Sequence, residues 1–421
     1  MAPKFLPVKG TRDFYPEEMA VRAWLFGAMR ETSRLFGYAE YDGPFLEPME
    51  LYAAKSGEEL VKEQTFLLTD RGGRQLALRP ELTPSLARLV AQKQQGLLKP
   101  LRWFSIGPMW RYEQPQKGRT REFFQWNVDL LGPESARADA ELIAIGAEFF
   151  RKVGLSPKEV QIRVNDRRYV ERELLSLGIG EDRKGAAFRA IDRKDKMRAD
   201  LWRESCAAAG LSSAETTGIE ELLSRGDGAE SSPELGSLLA ALADLGVADY
   251  ARVDHGIVRG LDYYTGTVFE ARDPESKFRA ILGGGRYDNL VEVVGGERLS
   301  GVGFAAGDVV IEILLRELGK IPDVAVFPAR ALVTVFDEAS FAASARAATA
   351  LRAAGVPAEL FLGTARLDKQ IQYAQKKRIP FVVVIGPEEA AKGLVTVKRL
   401  STQDQRSVAL SALPDAMRED G

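Results

Sequence analysis

Histidine and cysteine are almost absent from this 421-residue chain, which contains one of each, His255 and Cys206. A single cysteine cannot form an internal disulfide, and a single histidine cannot build a metal site that needs several imidazoles. Any Ser-His or Cys-His catalytic pair would also have to use His255. We interpret both residues as structural. We expect no protein-bound metal site, and the composition argues against zinc enzymes and most hydrolases.

The chain also lacks a strong net charge and a long apolar run. Its formal net charge is −2, so any contact with nucleic acid would have to come from local basic patches. No stretch reaches the roughly 18 apolar residues that span a bilayer. The first residues also lack the apolar segment of a signal peptide. We therefore expect a cytoplasmic protein that does not enter a membrane.

The pattern of apolar residues divides the chain into two regions of different fold class. In residues 1–325, strand-like runs follow one another through short turns, which predicts an α+β domain with an antiparallel sheet flanked by helices. Within it, residues 171–252 or thereabouts are helical and charged, which indicates an inserted module. In residues 329–421, strands alternate with helices, which predicts a smaller α/β domain with a mostly parallel sheet.

A predicted β-hairpin over residues 111–129 carries an unusual set of polar side chains. Arg111 and Glu113 share a face of its first strand, and the loop of residues 114–120 adds Lys117 and Arg119. Because side chains alternate along a strand, one face of the second strand carries a further set: Arg121, Phe123, Gln125, Asn127 and Asp129.

The chemistry of this set suits a nucleotide beside a small substrate that bears an amino group. A guanidinium can grip phosphate, a phenyl ring can stack on a purine, and a carboxylate with an amide can hold an amine or imidazole. A half-exposed sheet with cross-strand ion pairs also explains polar alternation, and a solvated turn also explains a basic loop.

Polar and aromatic residues also crowd into two segments farther along the chain. The segment RGLDYYTGTVFE contains Arg259, Asp262, Tyr263 and Tyr264, and the segment LGGGRYDNL contains Tyr287 after three glycines. Buried packing explains many tyrosine pairs, but arginine and aspartate at this density suggest a site. The glycine run matches neither a Walker A motif nor a dinucleotide-binding fingerprint. Glu81 stands at a predicted strand-to-helix junction.

Four segments in this order, KGTRDFYP, the hairpin of residues 111–129, RGLDYYTGTVFE and GGGRYD, resemble the histidyl-tRNA synthetases, which are class II aminoacyl-tRNA synthetases. The resemblance covers nearly the whole chain. It implies the class II synthetase fold with a C-terminal anticodon-binding domain, in a homodimer. It also implies a ligase that activates histidine with ATP, accompanied by Mg²⁺, and transfers it to the 3′ end of tRNA(His).

The resemblance further implies a role for each matched residue. Arg111 and Arg259 would hold the α-phosphate of ATP and so be the catalytic residues. Phe123 and Glu113 would contact the adenine, with Arg121 near the phosphates. The residues implied to bind histidine are Glu81, Gln125, Asp129, Arg259, Tyr263, Tyr264 and Tyr287.

Two departures from the family pattern bear on this assignment. Many bacterial members have glutamate where this chain has Asp129. Val309 and Val310 occupy the positions of a Glu-Arg pair whose arginine binds the γ-phosphate. Either another arginine, such as Arg286 or Arg298, approaches the triphosphate, or ATP is held differently, or activation is weak.

Two other functions fit parts of the same pattern. A non-catalytic paralogue, such as the histidine-sensing regulatory subunit of ATP phosphoribosyltransferase, shares the first domain but generally lacks the anticodon domain. A tRNA-sensing module would also bind tRNA without charging it.

Overall fold

A computed structural model describes residues 5–53, 64–194, 197–225, 232–259, 263–363 and 365–417. The described residues fall into two compact units. The first is drawn from Met1–Asp13 with Arg22–Pro322, and the second from Phe14–Val21 with Asp323–Gly421. The domain limits predicted from the sequence, residues 1–325 and 329–421, remain a prediction.

The helices of the described residues follow in chain order: α1 Pro16–Leu35, α2 Met49–Ala53, α3 Thr83–Lys93, α4 Ala136–Lys152, α5 Arg167–Ser176, α6 Glu181–Arg193, α7 Ala199–Ala208, α8 Ser213–Ser224, α9 Pro233–Asp244, α10 Leu290–Val293, α11 Asp308–Glu317, α12 Phe341–Ala353, α13 Leu367–Lys376, α14 Pro387–Lys392 and α15 Leu413–Ala416. None of them is both long enough and apolar enough to cross a bilayer.

The strands of the described residues are β1 Ala39–Glu40, β2 Leu46–Pro48, β3 Leu67–Thr69, β4 Gln75–Leu78, β5 Leu101–Trp110, β6 Glu122–Leu131, β7 Gln161–Asp166, β8 Ala251–Val253, β9 Thr267–Arg272, β10 Leu282–Tyr287, β11 Gly301–Gly307, β12 Ala331–Val333, β13 Ala358–Leu360, β14 Phe381–Val384, β15 Leu394–Arg399 and β16 Gln405–Ala409.

An eight-stranded sheet in the order β1-β5-β6-β11-β10-β9-β7-β8 forms the centre of the first unit. All of its inner pairings are antiparallel, and only the two edge pairings, β1 with β5 and β7 with β8, are parallel. This confirms the predicted antiparallel sheet. A separate small sheet has the order β2-β4-β3.

Strand β6 shows how the sequence pattern positions the two faces of the large sheet. Trp126 and Val128 point into the main apolar core, together with Phe149 of α4. Gln125 and Asn127, which alternate with them, point to the opposite face and line a cavity. The predicted alternation is therefore correct over this part of the strand, and it separates a packed face from a polar one.

Helices α5 to α8 build an apolar core of their own, which includes Trp202 and Cys206. Cys206 is fully buried there, as a packing role requires. Leu238 and Leu242 of α9 instead belong to the main core of the first unit, and β8 is an edge strand of the large sheet. The sequence prediction had included α9 and most of β8 in the inserted module.

The second unit is an α/β domain around a five-stranded sheet in the order β13-β12-β14-β15-β16. Strand β12 pairs in parallel with β13 and β14, whereas the pairings of β14 with β15 and of β15 with β16 are antiparallel. The α/β class is confirmed, but the prediction of a mostly parallel sheet is wrong. Strands β15 and β16 are joined by a short turn, which permits only antiparallel pairing.

Candidate active site

A cavity of about 620 Å³ lies on the polar face of the large sheet. Nine of the eleven site residues predicted from the sequence line it: Glu81, Arg111, Glu113, Phe123, Gln125, Arg259, Tyr263, Tyr264 and Tyr287. Arg121 and Asp129 do not line it. The structure therefore brings together residues that are up to about 200 positions apart in the chain.

Arg111 follows directly after β5 and presents its guanidinium to the cavity. Its Nε donates a hydrogen bond to the carbonyl of Pro80 at 3.0 Å, and its guanidinium carbon lies 5.3 Å from the centre of the Phe123 ring. Burial lowers the pKa of Arg111. A partly buried cation beside a ring and with one backbone partner retains donors for an anionic ligand.

Glu81 lies between β4 and α3, at the predicted junction. The hydroxyl of Tyr263 donates to its Oε2 at 3.0 Å, and burial raises the pKa of Tyr263, so this hydroxyl stays protonated. The rings of Tyr264 and Tyr287 stand 4.9 and 6.0 Å from that of Tyr263. These contacts fix a carboxylate and three aromatic rings in one wall. Asp262 lies outside the described residues.

Arg259 approaches the cavity from a strained backbone position, with a φ of 54°. Only glycine adopts this left-handed region routinely, so surrounding structure must hold the residue there. Its Nη1 donates to Glu270 at 2.5 Å, and the same carboxylate also pairs with Arg272. Gly283 permits this placement, because a Cβ there would lie only 2.1 Å from Nη1 of Arg259.

Asp129 is buried behind the cavity wall, where 3% of its surface is exposed. The Tyr287 hydroxyl donates to its Oδ1 at 2.5 Å. Burial raises the pKa of Asp129 to about 7, although the hydrogen bond from Tyr287 acts in the opposite direction. Tyr287 lines the cavity and Asp129 does not, so the carboxyl group can influence a ligand through this hydroxyl.

Arg121 lies apart from the cavity that it was expected to line. Its guanidinium carbon stands 4.3 Å from the centre of the Tyr112 ring. Arg119 lines the cavity instead and pairs with Glu113 at 2.8 Å. The prediction extended strand alternation to residue 121, but β6 begins only at Glu122, so the rule does not apply there.

The sequence did not single out the connection between β9 and β10, which also lines the cavity. It contributes Lys277 and Arg279, while Arg272 comes from the end of β9. The segment DPESKF looks like an ordinary solvated turn, and no local pattern reveals that β10 folds it back over the β5–β6 loop. The one hint in the sequence is that this segment carries several charged residues shortly before the glycine-rich strand β10.

The two arginines considered as substitutes near the triphosphate, Arg286 and Arg298, do not line the cavity. Arg286 is buried and pairs with Asp139 at 2.5 Å. Arg298 pairs with Glu134 at 3.2 Å on the surface.

Comparison with known proteins gives consistent matches over the whole chain. A family model for histidyl-tRNA synthetase matches residues 10–308, and a model for an anticodon-binding domain matches residues 323–420. The chain is 39% identical to a chloroplastic/mitochondrial histidine–tRNA ligase of Arabidopsis thaliana, over 97% of this chain and 85% of that protein. It is 34% identical to a histidine–tRNA ligase of Leptospira biflexa, over 98% and 97% respectively.

Solved structures share the fold. Histidyl-tRNA synthetase from Nostoc sp. PCC 7120 superposes with a TM-score of 0.82 at 24% identity, and the match covers 100% of both chains. A protein from Bacillus halodurans described as an ATP phosphoribosyltransferase regulatory subunit/histidyl-tRNA synthetase gives a TM-score of 0.73 at 26% identity, over 89% of this chain and 97% of that one.

Proposed function

Because the chain belongs to the histidyl-tRNA synthetase family and is a histidine–tRNA ligase that uses ATP, we propose that its cavity binds ATP and histidine side by side. One observation carries this proposal. Arg111, which has no carboxylate partner among the described residues, shares the cavity with Glu81 and Gln125. A guanidinium without a carboxylate partner suits a phosphate, and a carboxylate beside an amide suits an ammonium group.

On the ATP side, we assign the α-phosphate to Arg111 and Arg259, and the adenine to Phe123 and Glu113. Glu270 engages only Nη1 of Arg259, so Nη2 is left to reach a phosphate oxygen. We assign Arg119 rather than Arg121 to the phosphates, since Arg119 is the one that lines the cavity.

On the histidine side, we assign the α-amino group to Glu81 and Gln125, and the imidazole to the tyrosine wall. The Tyr287 hydroxyl donates its hydrogen bond to Asp129, so its oxygen can accept a hydrogen bond from an N–H of the imidazole, with Tyr264 beside it. An apolar amino acid of similar size would leave these buried polar groups unpaired, and such sites discriminate strongly.

In the first step, a carboxylate oxygen of histidine attacks the α-phosphorus of ATP, and the bond to pyrophosphate breaks. The arginines neutralise charge on the phosphoryl oxygens, and the walls of the cavity hold the two reactants in line. In the second step, a ribose hydroxyl at the 3′ end of tRNA attacks the carbonyl of the mixed anhydride, and AMP leaves. Neither step uses a covalent enzyme nucleophile.

Mg²⁺ is proposed to arrive with ATP. Across the described ranges, no group of three or more His, Cys, Asp or Glu side chains could hold a metal ion, so the residues present do not form a cage for it. Mg²⁺ commonly binds through phosphate oxygens and water with few protein ligands.

We also propose that the protein works as a cytoplasmic homodimer. Strands β2 and β3 and the residue before β2 expose four large apolar side chains: Phe45, Leu46, Leu67 and Leu68. Consecutive residues of a strand point to opposite faces, so these side chains expose apolar groups on both faces of the small sheet; exposed apolar side chains favour association, and a second copy is the partner that the family resemblance implies. The anticodon-binding domain of residues 323–420 is the proposed contact for tRNA(His).

The test is histidine-dependent exchange of pyrophosphate into ATP, followed by charging of tRNA(His). We expect both activities in the purified protein, and we expect Arg111→Ala to lower the exchange rate about 100-fold or more, since it removes a donor from the reacting phosphate. Arg298→Ala is the matched control, because Arg298 lies on the surface and pairs with Glu134. Histidine binding without any exchange would favour the non-catalytic paralogue, which the match to an anticodon-binding domain disfavours.

A further inference from the structure

We propose that Arg279 binds the terminal phosphate of ATP, in place of the arginine that Val310 replaces. The inference rests on the proposed function, because it concerns how ATP lies in the same cavity. Val309 and Val310 both line the cavity and carry no charge. Another cation must therefore neutralise this end of the triphosphate if ATP binds in an extended form.

The cationic side chains of the cavity differ in whether their charge is already neutralised. Those that line it among the described residues are Arg111, Arg119, Arg259, Arg272, Lys277 and Arg279. Four of these have a carboxylate partner: Arg119 has Glu113, Arg259 and Arg272 share Glu270, and Lys277 has Glu275. Within the described ranges, Arg111 and Arg279 have no such partner. An unpaired cation in a cavity attracts a polyanion more strongly than a paired one.

The position of Arg279 matches the position of the missing charge. A Cβ placed on Gly118 would lie 3.6 Å from Cγ2 of Val310 and 3.9 Å from Cδ of Arg279. The stem of Arg279 and the side chain of Val310 therefore flank the same glycine. Arg111, the other unpaired cation, lies near Pro80 and Phe123 instead. The two guanidiniums that lack a carboxylate partner among the described residues thus lie at different parts of the cavity.

The backbone that carries Arg279 is held in place. The buried carboxylate of Asp273 accepts hydrogen bonds from the backbone N–H groups of Lys277 and Phe278, at 2.8 and 2.9 Å. The ring of Phe278 packs against the main core. A side chain that starts from a fixed backbone loses less entropy when it binds a ligand.

The other arginines that could bind the terminal phosphate already pair with carboxylates. Arg12 pairs with Asp308 at 2.8 Å, at the start of α11. Arg286 is buried with Asp139, and neither it nor Arg298 lines the cavity. Arg279 is therefore the residue whose position and free charge both fit.

The experiment compares the affinity of the full-length protein for ATP and for AMP, each with Mg²⁺, by isothermal titration calorimetry. Arg279→Met keeps the stem beside Gly118 and removes the charge. We expect it to weaken ATP binding about 10- to 100-fold, the usual worth of a hydrogen bond to a charged group, with AMP binding changed less than about twofold. Arg279→Lys should lose less ATP affinity than Arg279→Met.

Arg298→Met is the matched control, because Arg298 is also a surface arginine but pairs with Glu134 and does not line the cavity. It should keep the affinities of the original protein. Equal losses for ATP and AMP in Arg279→Met, or no loss for either, would refute the role of Arg279 and leave the proposed function standing. Failure of the unchanged protein to bind ATP at all would instead refute the proposed function.

Discussion

Replacement of Asp129 by asparagine would remove a carboxyl group whose protonation the fold controls. Burial raises the pKa of Asp129 from its ordinary value of 3.8 to about 7, against the opposing effect of the hydrogen bond from Tyr287. The folded protein thus keeps this carboxyl protonated over a pH range in which the unfolded chain ionises it. Folding is favoured most at low pH, and the favourable contribution is lost as the pH rises toward 7.

The size of this loss follows from the difference in pKa. A pKa raised by about three, at roughly 1.4 kcal/mol for each pH unit, corresponds to about 4 kcal/mol between pH 4 and pH 7. Over the range from pH 5 to pH 8, about 3 kcal/mol of it should be visible. Asparagine is neutral throughout and can still accept the hydrogen bond from Tyr287, so the variant should escape this loss.

Differential scanning calorimetry at several pH values between 5 and 8 provides the assay. The Tm of Asp129→Asn, relative to the unchanged protein, should rise by about 3 to 4 °C from pH 5 to pH 8. Asp139→Asn is the contrasting control, since it removes the closest carboxylate partner of the buried guanidinium of Arg286 and should lower the Tm at every pH. A Tm difference for Asp129→Asn that is the same at pH 5 and pH 8 would refute the raised pKa.

Two further substitutions separate catalysis from folding. Arg259→Ala should lower pyrophosphate exchange about 100-fold or more. The proposed dimer should stay intact in light scattering, because Glu270 keeps its ion pair with Arg272; a loss of dimerisation would give Arg259 a structural role. Gly284→Ala would place a Cβ 2.3 Å from the carbonyl oxygen of Gly303, so we expect a loss of about 3 kcal/mol or more of stability, and an unchanged Tm would contradict this close approach.

The parts of the site that the sequence predicted are those governed by local periodicity. Gln125 faces the cavity and Trp126 the core because strand β6 is regular at that point. Glu81 lies at the predicted junction because β4 ends and α3 begins within a few residues of it. Such rules need only the neighbouring residues, so they hold wherever the element is regular.

The parts that the sequence missed depend on irregular backbone or on distant pairing. Arg121 lies outside β6, and its neighbour Arg119 takes its place in the cavity. The left-handed backbone of Arg259 has no sequence signal, because glycine is the usual residue there. Arg279 reaches the cavity only because β10 pairs with β11, which in turn pairs with β6. These long-range strand pairings cannot be deduced from a single sequence.

The structure gives a physical reason why valine, and not arginine, can occupy position 310. Val310 belongs to the main apolar core together with Ile311 and Leu314 of the same helix, so apolar burial stabilises the start of α11. An arginine at that position would have to lose much of its hydration in the absence of ATP. Arg279 is exposed and can stay hydrated until a phosphate replaces its water. In this proposal, the charge that binds the terminal phosphate lies on the β9–β10 connection and not on α11. Helix α11 can therefore pack in the core whether or not ATP is bound.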